Sequence, residues 1–358
     1  MFIFDTMLGR DYEQLVVCTD KASGLRAFIC IHDTTLGPAL GGVRIWPHKT
    51  EEDALTDVLR LARAMTYKAA AAGLSLGGGK ALIMADPRRD KSEALLRAYG
   101  RFVEAVGGRY ITTEDMGSTT DDMEIIATQT RHVIGLPVAQ GGSGDPSSMT
   151  AYGVFRAMQA CAKDVWGNPS LQGRTVAVQG FGKVASNLAA HLKRDGARLI
   201  VTDINEQAAD RARREFDARL VAPDDVFDAA CDIFAPCALG GALNDTTIPR
   251  LRCKVVCGGA NNQLAEDRHG EGLMKRGILY APDFIVNAGG VINLSVELMP
   301  LGYNEEMARE RTSRIYGTLE KVIAVSKAEG IPTSRAAERL AEERVGGARA
   351  VKRIWLPH

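Results

Sequence analysis

Lys80 closes the stretch "AGLSLGGGKALI" (residues 72–83), where three glycines deliver one ammonium into apolar surroundings. A glycine run ending in Gly-Lys suggests a phosphate loop, which needs Gly, four residues, then Gly-Lys-Ser/Thr. Leu74 stands at the first glycine position and Ala81 at the hydroxyl position, so that reading fails twice. Leu74, Leu76, Ala81, Leu82 and Ile83 surround Lys80 instead. Burial disfavours a charged ammonium, the condition under which a lysine serves as general acid and base. A second cation nearby, such as Lys68, acts in the same direction. Asp115 ends the run "RYITTED", where a carboxylate at a strand end can meet a small molecule. The pair Gly41-Gly42 is the fourth feature of this part of the chain.

A second constellation lies in "VAVQGFGKVASNLAAHL". Gly180, Gly182 and Ala185 form G-x-G-x-x-A, with Phe181, Lys183 and Val184 completing the loop. The pattern follows a strand and opens a helix, as dinucleotide binding requires. Gly180 permits the tight turn, Gly182 lets a pyrophosphate approach the backbone, and Ala185 allows close helix–sheet packing. The helix N-terminus stabilises the phosphate charge. Asp203 ends "RLIVTD", 21 residues after Gly182, placed to accept hydrogen bonds from the ribose hydroxyls and to repel a 2′-phosphate. The reading is NAD rather than NADP.

The elements that position these groups follow from pattern. "LRAFICIHD" alternates as a strand; a helix capped by Thr50 with Asp53 carries Leu55, Val58, Leu59, Ala62 and Met65 at helical spacing and ends near Lys68. A Gly77–Gly79 turn then leads into the strand "KALIMADP". "IGLPVAQGGSGDPSSM", residues 134–149, reads as a link between domains. Beyond a helix reaching Trp166, the strands "TVAVQ", "RLIVTD", "CDIFAP", "CKVVCGG" and "GILYAPD" recur with helical stretches among them. Such alternation predicts a parallel, doubly wound sheet. The expected fold is α/β with two domains separated by a cleft, which closes to exclude water. Residues 1–140 form an N-terminal α/β catalytic and oligomerisation domain, and 146–327 a Rossmann NAD-binding domain. A C-terminal helix over about 328–358 packs back on the first.

Composition narrows the partners. The chain has 358 residues, enough for two domains of ~100–200 residues each. Forty-four basic residues balance 44 acidic ones, which argues against nucleic acid or a membrane surface as partner. No apolar run approaches the ~20 residues of a membrane span, and "MFIFDTMLGRDYEQ" lacks the marks of a signal peptide. Seven cysteines without a C-x-x-C pair, Cys253 and Cys257 among them as small buried hydrophobes, fit a reduced cytoplasmic protein. The six histidines form no ligand spacing, so no metal is expected.

The segments "LGPALGGVRIWP", "MTYKAAAAGLSLGGGKALI", "RYITTEDMGST", "TAYGV", "CDIFAPCALGG", "GGANNQL" and "YAPDFIVNAGGVIN" resemble the glutamate, leucine, phenylalanine and valine dehydrogenase family, in order and over nearly the whole chain. Within it the chain is most similar to the leucine-specific branch. The resemblance implies reversible oxidative deamination of an L-amino acid to a 2-oxo acid and ammonia with NAD, by a homo-oligomer. By the same resemblance Lys68 holds the substrate carboxylate, Lys80 activates water and Asp115 shuttles protons at the amino group. Asn262 helps to fix the substrate, with Asn287 and the Gly41-Gly42 pair lining the same site; Thr150, Cys237, Ala238 and Asn261 lie near the cofactor. Glutamate-specific members carry a lysine before the Gly-Gly pair and a serine seven residues after the "NAGG" asparagine. Leu40 and Leu294 occupy those positions here, with Val291 beside them. An apolar pocket cannot repay the desolvation of a carboxylate, so an aliphatic substrate is expected. Thr113 stands where leucine dehydrogenases commonly carry alanine. A phenylalanine or tryptophan dehydrogenase is the close alternative, and a silent NAD-binding regulatory subunit the remote one.

Overall fold

The computed structural model describes residues 3–351 and 356. The chain divides into two compact units, the first comprising 3–145, 294–304 and 341 onward, the second 146–293 and 305–340. The first unit opens with α1 (Ile3–Leu8), β1 (Gln14–Asp20), β2 (Leu25–Asp33) and β3 (Ala39–Ile45). It continues through α2 (Glu51–Ala71), β4 (Gly77–Ile83), α3 (Glu93–Ala105), β5 (Tyr110–Glu114) and α4 (Thr120–Ala127). Its sheet has the order β1-β2-β4-β3-β5, with β4, β3 and β5 mutually parallel and β1 and β2 antiparallel at one edge.

Strand alternation sorts the two faces of β4. Ala81 and Ile83 pack with Leu95, Tyr99 and Val103 of α3, whereas Leu82 packs with Leu55, Val58, Leu59 and Ala62 of α2. Lys80 therefore projects on the α2 side. The Thr50 hydroxyl caps α2 by accepting from the Asp53 N–H at 3.0 Å. Its last turn is held from the far end of the chain, where Arg344 donates to the carbonyls of Ala70 and Leu74 at 2.7 and 2.8 Å.

Gly77, Gly78 and Gly79 are strand residues, all buried, and not the turn that a glycine run signals. The cause is long-range packing. A Cβ on Gly78 would overlap the Thr66 backbone of α2, one on Gly77 the Asp33 carbonyl, and one on Gly79 would lie 2.8 Å from the Tyr110 ring. The bare strand lets α2 press directly on the sheet.

The second unit contains α5 (Ser147–Trp166), β6 (Thr175–Gln179), α6 (Lys183–Arg194), β7 (Arg198–Thr202), α7 (Glu206–Phe216), β8 (Arg219–Leu220), β9 (Ile233–Pro236), β10 (Val255–Val256), α8 (Arg268–Lys275), β11 (Leu279–Tyr280) and α9 (Asp283–Val286). Helix α10 (Gly289–Val296) crosses into the first unit after Asn293. Helices α11 (Glu305–Ser313) and α12 (Ile315–Glu329) follow, and α13 (Thr333–Arg349) crosses again after Leu340. The sheet is wholly parallel in the order β8-β7-β6-β9-β10-β11, the doubly wound dinucleotide-binding order with its reversal between β6 and β9. Strand β8 escapes the sequence pattern because it is a two-residue edge strand with one charged member.

The break between the units falls at Asp145–Pro146. The tail divides differently from expectation. Residues 294–304 join the first unit, while 328–340 stay with the second, where α12 packs on α5 and the Thr333 hydroxyl donates to the Tyr280 carbonyl at 2.6 Å. Residues 352–355, 357 and 358 of the expected C-terminal helix lie outside the described residues. Among the described residues no helix is long and apolar enough to cross a membrane.

Gly78→Ala should lower stability by about 3 kcal/mol or more, because the clash is with backbone. Gly317 lies within α12 with open space around its Cβ position, so Gly317→Ala should raise stability by ~0.5–1 kcal/mol. Unfolding midpoints of the two variants check both signs; a tolerated Gly78→Ala would contradict the packing account.

Candidate active site

Lys80 and Asp115, 35 residues apart, meet in the first unit with Nζ 2.9 Å from Oδ2. The lysine side chain is 7% exposed and the aspartate 26%. The immediate partner of the buried ammonium is thus a carboxylate. Asp115 is fixed by the turn after β5. Its N–H donates to the Ser118 hydroxyl at 2.9 Å, and that hydroxyl donates to the Val43 carbonyl at 2.8 Å. The Ile45 N–H ties the same turn to β3 by donating to the Met116 carbonyl at 2.9 Å.

Gly41 and Gly42 make this approach possible. A Cβ on Gly41 would overlap the Gly79 carbonyl, and one on Gly42 would lie 2.8 Å from the Asp115 Cβ. Two residues on, Arg44 donates from Nε to Asp115 Oδ2 at 3.1 Å and from NH1 to Asp57 Oδ2 at 3.0 Å. Arg44 and Asp57 are absent from the sequence reading. The usable signal is a charged residue inside the apolar strand "ALGGVRIW". Burial alone would raise the Asp115 carboxyl, but the charges of Lys80 and Arg44 outweigh it and lower it to about 2. Lys68 stands in the last turn of α2, half-buried, on the end held by Arg344.

Leu40 is fully buried in β3, and Thr113 and Leu294 are nearly so. The last two converge on Gly135, whose Cβ position lies 2.7 Å from Thr113 Oγ1 and 3.3 Å from Leu294 Cδ2. Among the described residues Thr113 Oγ1 has no hydrogen-bond partner. Glu297, one turn beyond Leu294, clamps this corner by accepting from the N–H groups of Gly135 and Ser143 at 3.1 and 2.9 Å. Neither Gly135 nor Glu297 announces itself in sequence, since each acts through residues distant along the chain.

The second unit holds the remaining residues. Gly180 has φ +86° and backs onto Ala238, whose Cβ would be 2.8 Å from a Cβ there. Gly182 caps α6, and a Cβ added to it meets nothing within 4 Å. Open space therefore lies before a twelve-residue helix, as a pyrophosphate requires. Asp203 accepts from the N–H groups of Phe181 and Asn205 at 2.5 and 2.7 Å, bracing the turn at the end of β7. The Phe181 ring is buried against Phe216, so its backbone alone faces the loop. Lys183 opens α6 and is exposed, while Ala185 is buried. Val184 Cγ1 and Cys237 Sγ both approach the Cβ position of Gly259.

Asn287 donates to Asn261 Oδ1 at 2.8 Å, and its own amide oxygen is buried without a partner. Asn262 has φ +52°, and its carbonyl accepts from the Gly241 N–H at 2.7 Å. Thr150 lies beneath the start of α10, where a Cβ on Gly290 would be 2.7 Å from its hydroxyl; Val291 is the next residue. Elsewhere Asp245, Glu266 and His269 bring ligand atoms within 4.8 Å of one another, a grouping that linear spacing does not suggest. Arg268 occupies both carboxylates at 2.5 and 2.9 Å.

Two family models of known proteins meet near the break at residue 145, the second running on through 294–304 and the stretch from 341 that belong to the first unit. Residues 13–132 match the family model of the Glu/Leu/Phe/Val dehydrogenase dimerisation domain. Residues 141–207 and 201–353 match that of glutamate/leucine/phenylalanine/valine dehydrogenase. The leucine dehydrogenase of Thermoactinomyces intermedius is 58% identical, covering 99% of this chain and 97% of its own. The valine dehydrogenase of Streptomyces virginiae is 48% identical, with 94% and 95% covered. The crystal structure of L-tryptophan dehydrogenase from Nostoc punctiforme superposes with a TM-score of 0.86 at 43% identity, covering 97% of this chain and 99% of that one.

The lowered Asp115 carboxyl has a stability consequence. A group depressed in the folded state contributes above its unfolded pKa of ~4, and that contribution fades as pH falls toward its folded value. Asp115→Asn should therefore be less stable than the parent by a constant margin from pH 7 to 5. The margin should narrow below about pH 4. Denaturant unfolding across that range checks it; a margin that widens with acid would contradict the assignment.

Proposed function

The chain belongs to the Glu/Leu/Phe/Val dehydrogenase family of NAD(P)-dependent amino-acid dehydrogenases, and we propose that it deaminates branched-chain aliphatic L-amino acids reversibly with NAD. The products are the 2-oxo acid, ammonia and NADH. The observation that carries this reading is the buried Lys80–Asp115 contact at 2.9 Å, a proton donor and acceptor set on one face of the sheet.

An α-amino acid makes three demands. Its carboxylate needs a cation, and Lys68 supplies one. Its ammonium must lose a proton before hydride can leave Cα, and Asp115 takes it. The cofactor, when bound, accepts the hydride from Cα. Lys80 then draws a proton from water, which adds to the resulting C=N carbon. Asp115 returns its proton to the nitrogen as the C–N bond breaks and ammonia departs. The carbinol hydroxyl gives up its proton as the carbonyl forms, and that proton and the one on Lys80 both pass to solvent, so Lys80 and Asp115 end the cycle as they began it.

Leu40 and Leu294 offer hydrocarbon where glutamate-specific relatives carry a lysine and a serine, and so support an aliphatic side chain over a carboxylate. The family resemblance adds Val291 to that wall, and Asn262 and Asn287 as further holds on the substrate. Gly182 and the α6 N-terminus fit a pyrophosphate, with Thr150, Cys237, Ala238 and Asn261 around it. An aromatic substrate is the second reading, favoured by the likeness to tryptophan dehydrogenase. We take the enzyme to be a cytoplasmic homo-oligomer assembled through its first unit.

The ranking of kcat/KM over leucine, valine, phenylalanine, tryptophan and glutamate tests the substrate. Leucine and valine should lead within about tenfold of each other, since one methylene is worth ~1–3 kcal/mol. Glutamate should trail far behind, and Lys80→Ala should lose ~10²–10⁴ in turnover on every substrate. Glutamate in first place would overturn the pocket, and an aromatic the choice within the family. For the cofactor, the parent should prefer NAD to NADP, and Asp203→Ala should narrow that preference. A parent faster with NADP would refute the role of Asp203.

A further inference from the structure

Arg44 contributes to no step derived above, yet it is among the most constrained charges in the first unit. It is the penultimate residue of β3, opposite Leu82 of β4, and so on the α2 face of the sheet with Lys80. Its side chain is 18% exposed. Nε donates to Asp115 Oδ2 and NH1 to Asp57 Oδ2, so two carboxylates on different elements fix the guanidinium plane. Asp57 on α2 is itself held, with Arg60 NH2 3.2 Å from Oδ1 and His48 Nε2 3.4 Å from Oδ2.

The atom on which these contacts converge matters. Lys80 Nζ and Arg44 Nε both meet Oδ2 of Asp115. Among the described residues Oδ1 accepts no hydrogen bond, although the side chain is partly exposed. Two cations thus restrain one oxygen and turn the other outward.

We propose that Arg44 is the positioning residue for deamination: it clamps Asp115 through Oδ2 and so presents Oδ1 to the substrate ammonium. This rests on the reading of Asp115 as the proton acceptor. The choice of arginine has a chemical reason. Lys80 changes its protonation during the cycle, whereas a guanidinium does not deprotonate in proteins. Arg44 therefore keeps Asp115 paired at the moment Lys80 is neutral. Its rigid planar fork also holds Asp115 and Asp57 in a fixed relation, which the rotating donors of an ammonium do not.

The groups facing Asp115 are Lys80 from β4, Arg44 from β3, and Tyr110 and Glu114 from β5. Asp57, His48 and Arg60 stand behind Arg44, and α2 ends in Lys68. Removing Arg44 takes a cation away from the Lys80–Asp115 pair, so the pair holds its protons more readily and the acid limb of kcat/KM should move to higher pH. The test compares the parent with Arg44→Gln, Arg44→Lys, Asp57→Asn and Asp115→Asn, with folding followed by circular dichroism and NADH binding by fluorescence. Arg44→Gln should lose 10- to 100-fold in kcat, shift the acid limb upward and still bind NADH. Arg44→Lys should return the limb toward its parental position while recovering kcat only in part. Asp57→Asn should lower kcat with the limb displaced less than in Arg44→Gln. His48→Gln, measured alongside, separates the titration of that imidazole from that of Asp115. Parental kcat and limb in Arg44→Gln would overturn the proposal, as would a loss of kcat with an unmoved limb, or full recovery of kcat in Arg44→Lys. If Asp115→Asn keeps parental turnover, the failure lies in the proton-acceptor reading; if it is inactive while Arg44→Gln is normal, only the role of Arg44 falls.

Discussion

The backbone of α2 lies directly on the backbone of β4, with no side chain between them at Gly78. Ordinary helix–sheet packing interposes a layer of side chains, and here the layer is thinned beside Lys80. From that contact the helix delivers Asp57 near its start and Lys68 at its end to the face that carries Lys80 and Arg44. The glycines of β3 repeat the device sideways, drawing Asp115 toward the same spot. Shape comes first in this unit, and charge is placed on what shape allows.

Charges brought so deep must offset their desolvation. They do so by alternation: Lys80, Asp115, Arg44 and Asp57 follow one another with opposite neighbours at 2.9 to 3.1 Å, and the row ends on the exposed Arg60 at 3.2 Å. No member is left with only a like charge beside it. Such a row is stable as a whole and sensitive to any single loss, because removing one member strands the next in a poor solvent. Rigidity of this kind suits a site that must hold a carboxylate in one orientation.

The cofactor half was legible because its determinants are local. Gly180, Gly182, Ala185 and Asp203 belong to one β-α-β unit, and their spacing carries the turn, the helix entry and the acceptor together. The parallel sheet followed from the recurrence of short apolar strands. The first unit was legible in its elements, and two residues that the sequence marks, Lys80 and Asp115, meet in the fold, but its other contacts were not legible. Gly77–Gly79 looked like a turn because a glycine run carries no trace of the helix that needs it. Arg44 and Asp115 are 71 residues apart and Gly135 and Glu297 162, separations over which no spacing rule operates. The tail misled for a related reason, since α13 changes allegiance within a single uninterrupted helix.

That change of allegiance bears on how such chains can be recombined. The polypeptide passes between its two units at 145/146, 293/294, 304/305 and 340/341. Neither unit is a contiguous gene segment, so a single crossover cannot exchange one for the other. A chimera joined once, near residue 145, would import Leu294 and the Glu297 clamp from the donor of the second unit, and with them the donor's side of the corner at Gly135. A graft confined to 146–293, rejoined at Leu294, would instead leave Leu294 and the Glu297 clamp with the host. Because α10 runs through that seam, the graft must keep its helical phase unbroken from Gly289 to Val296.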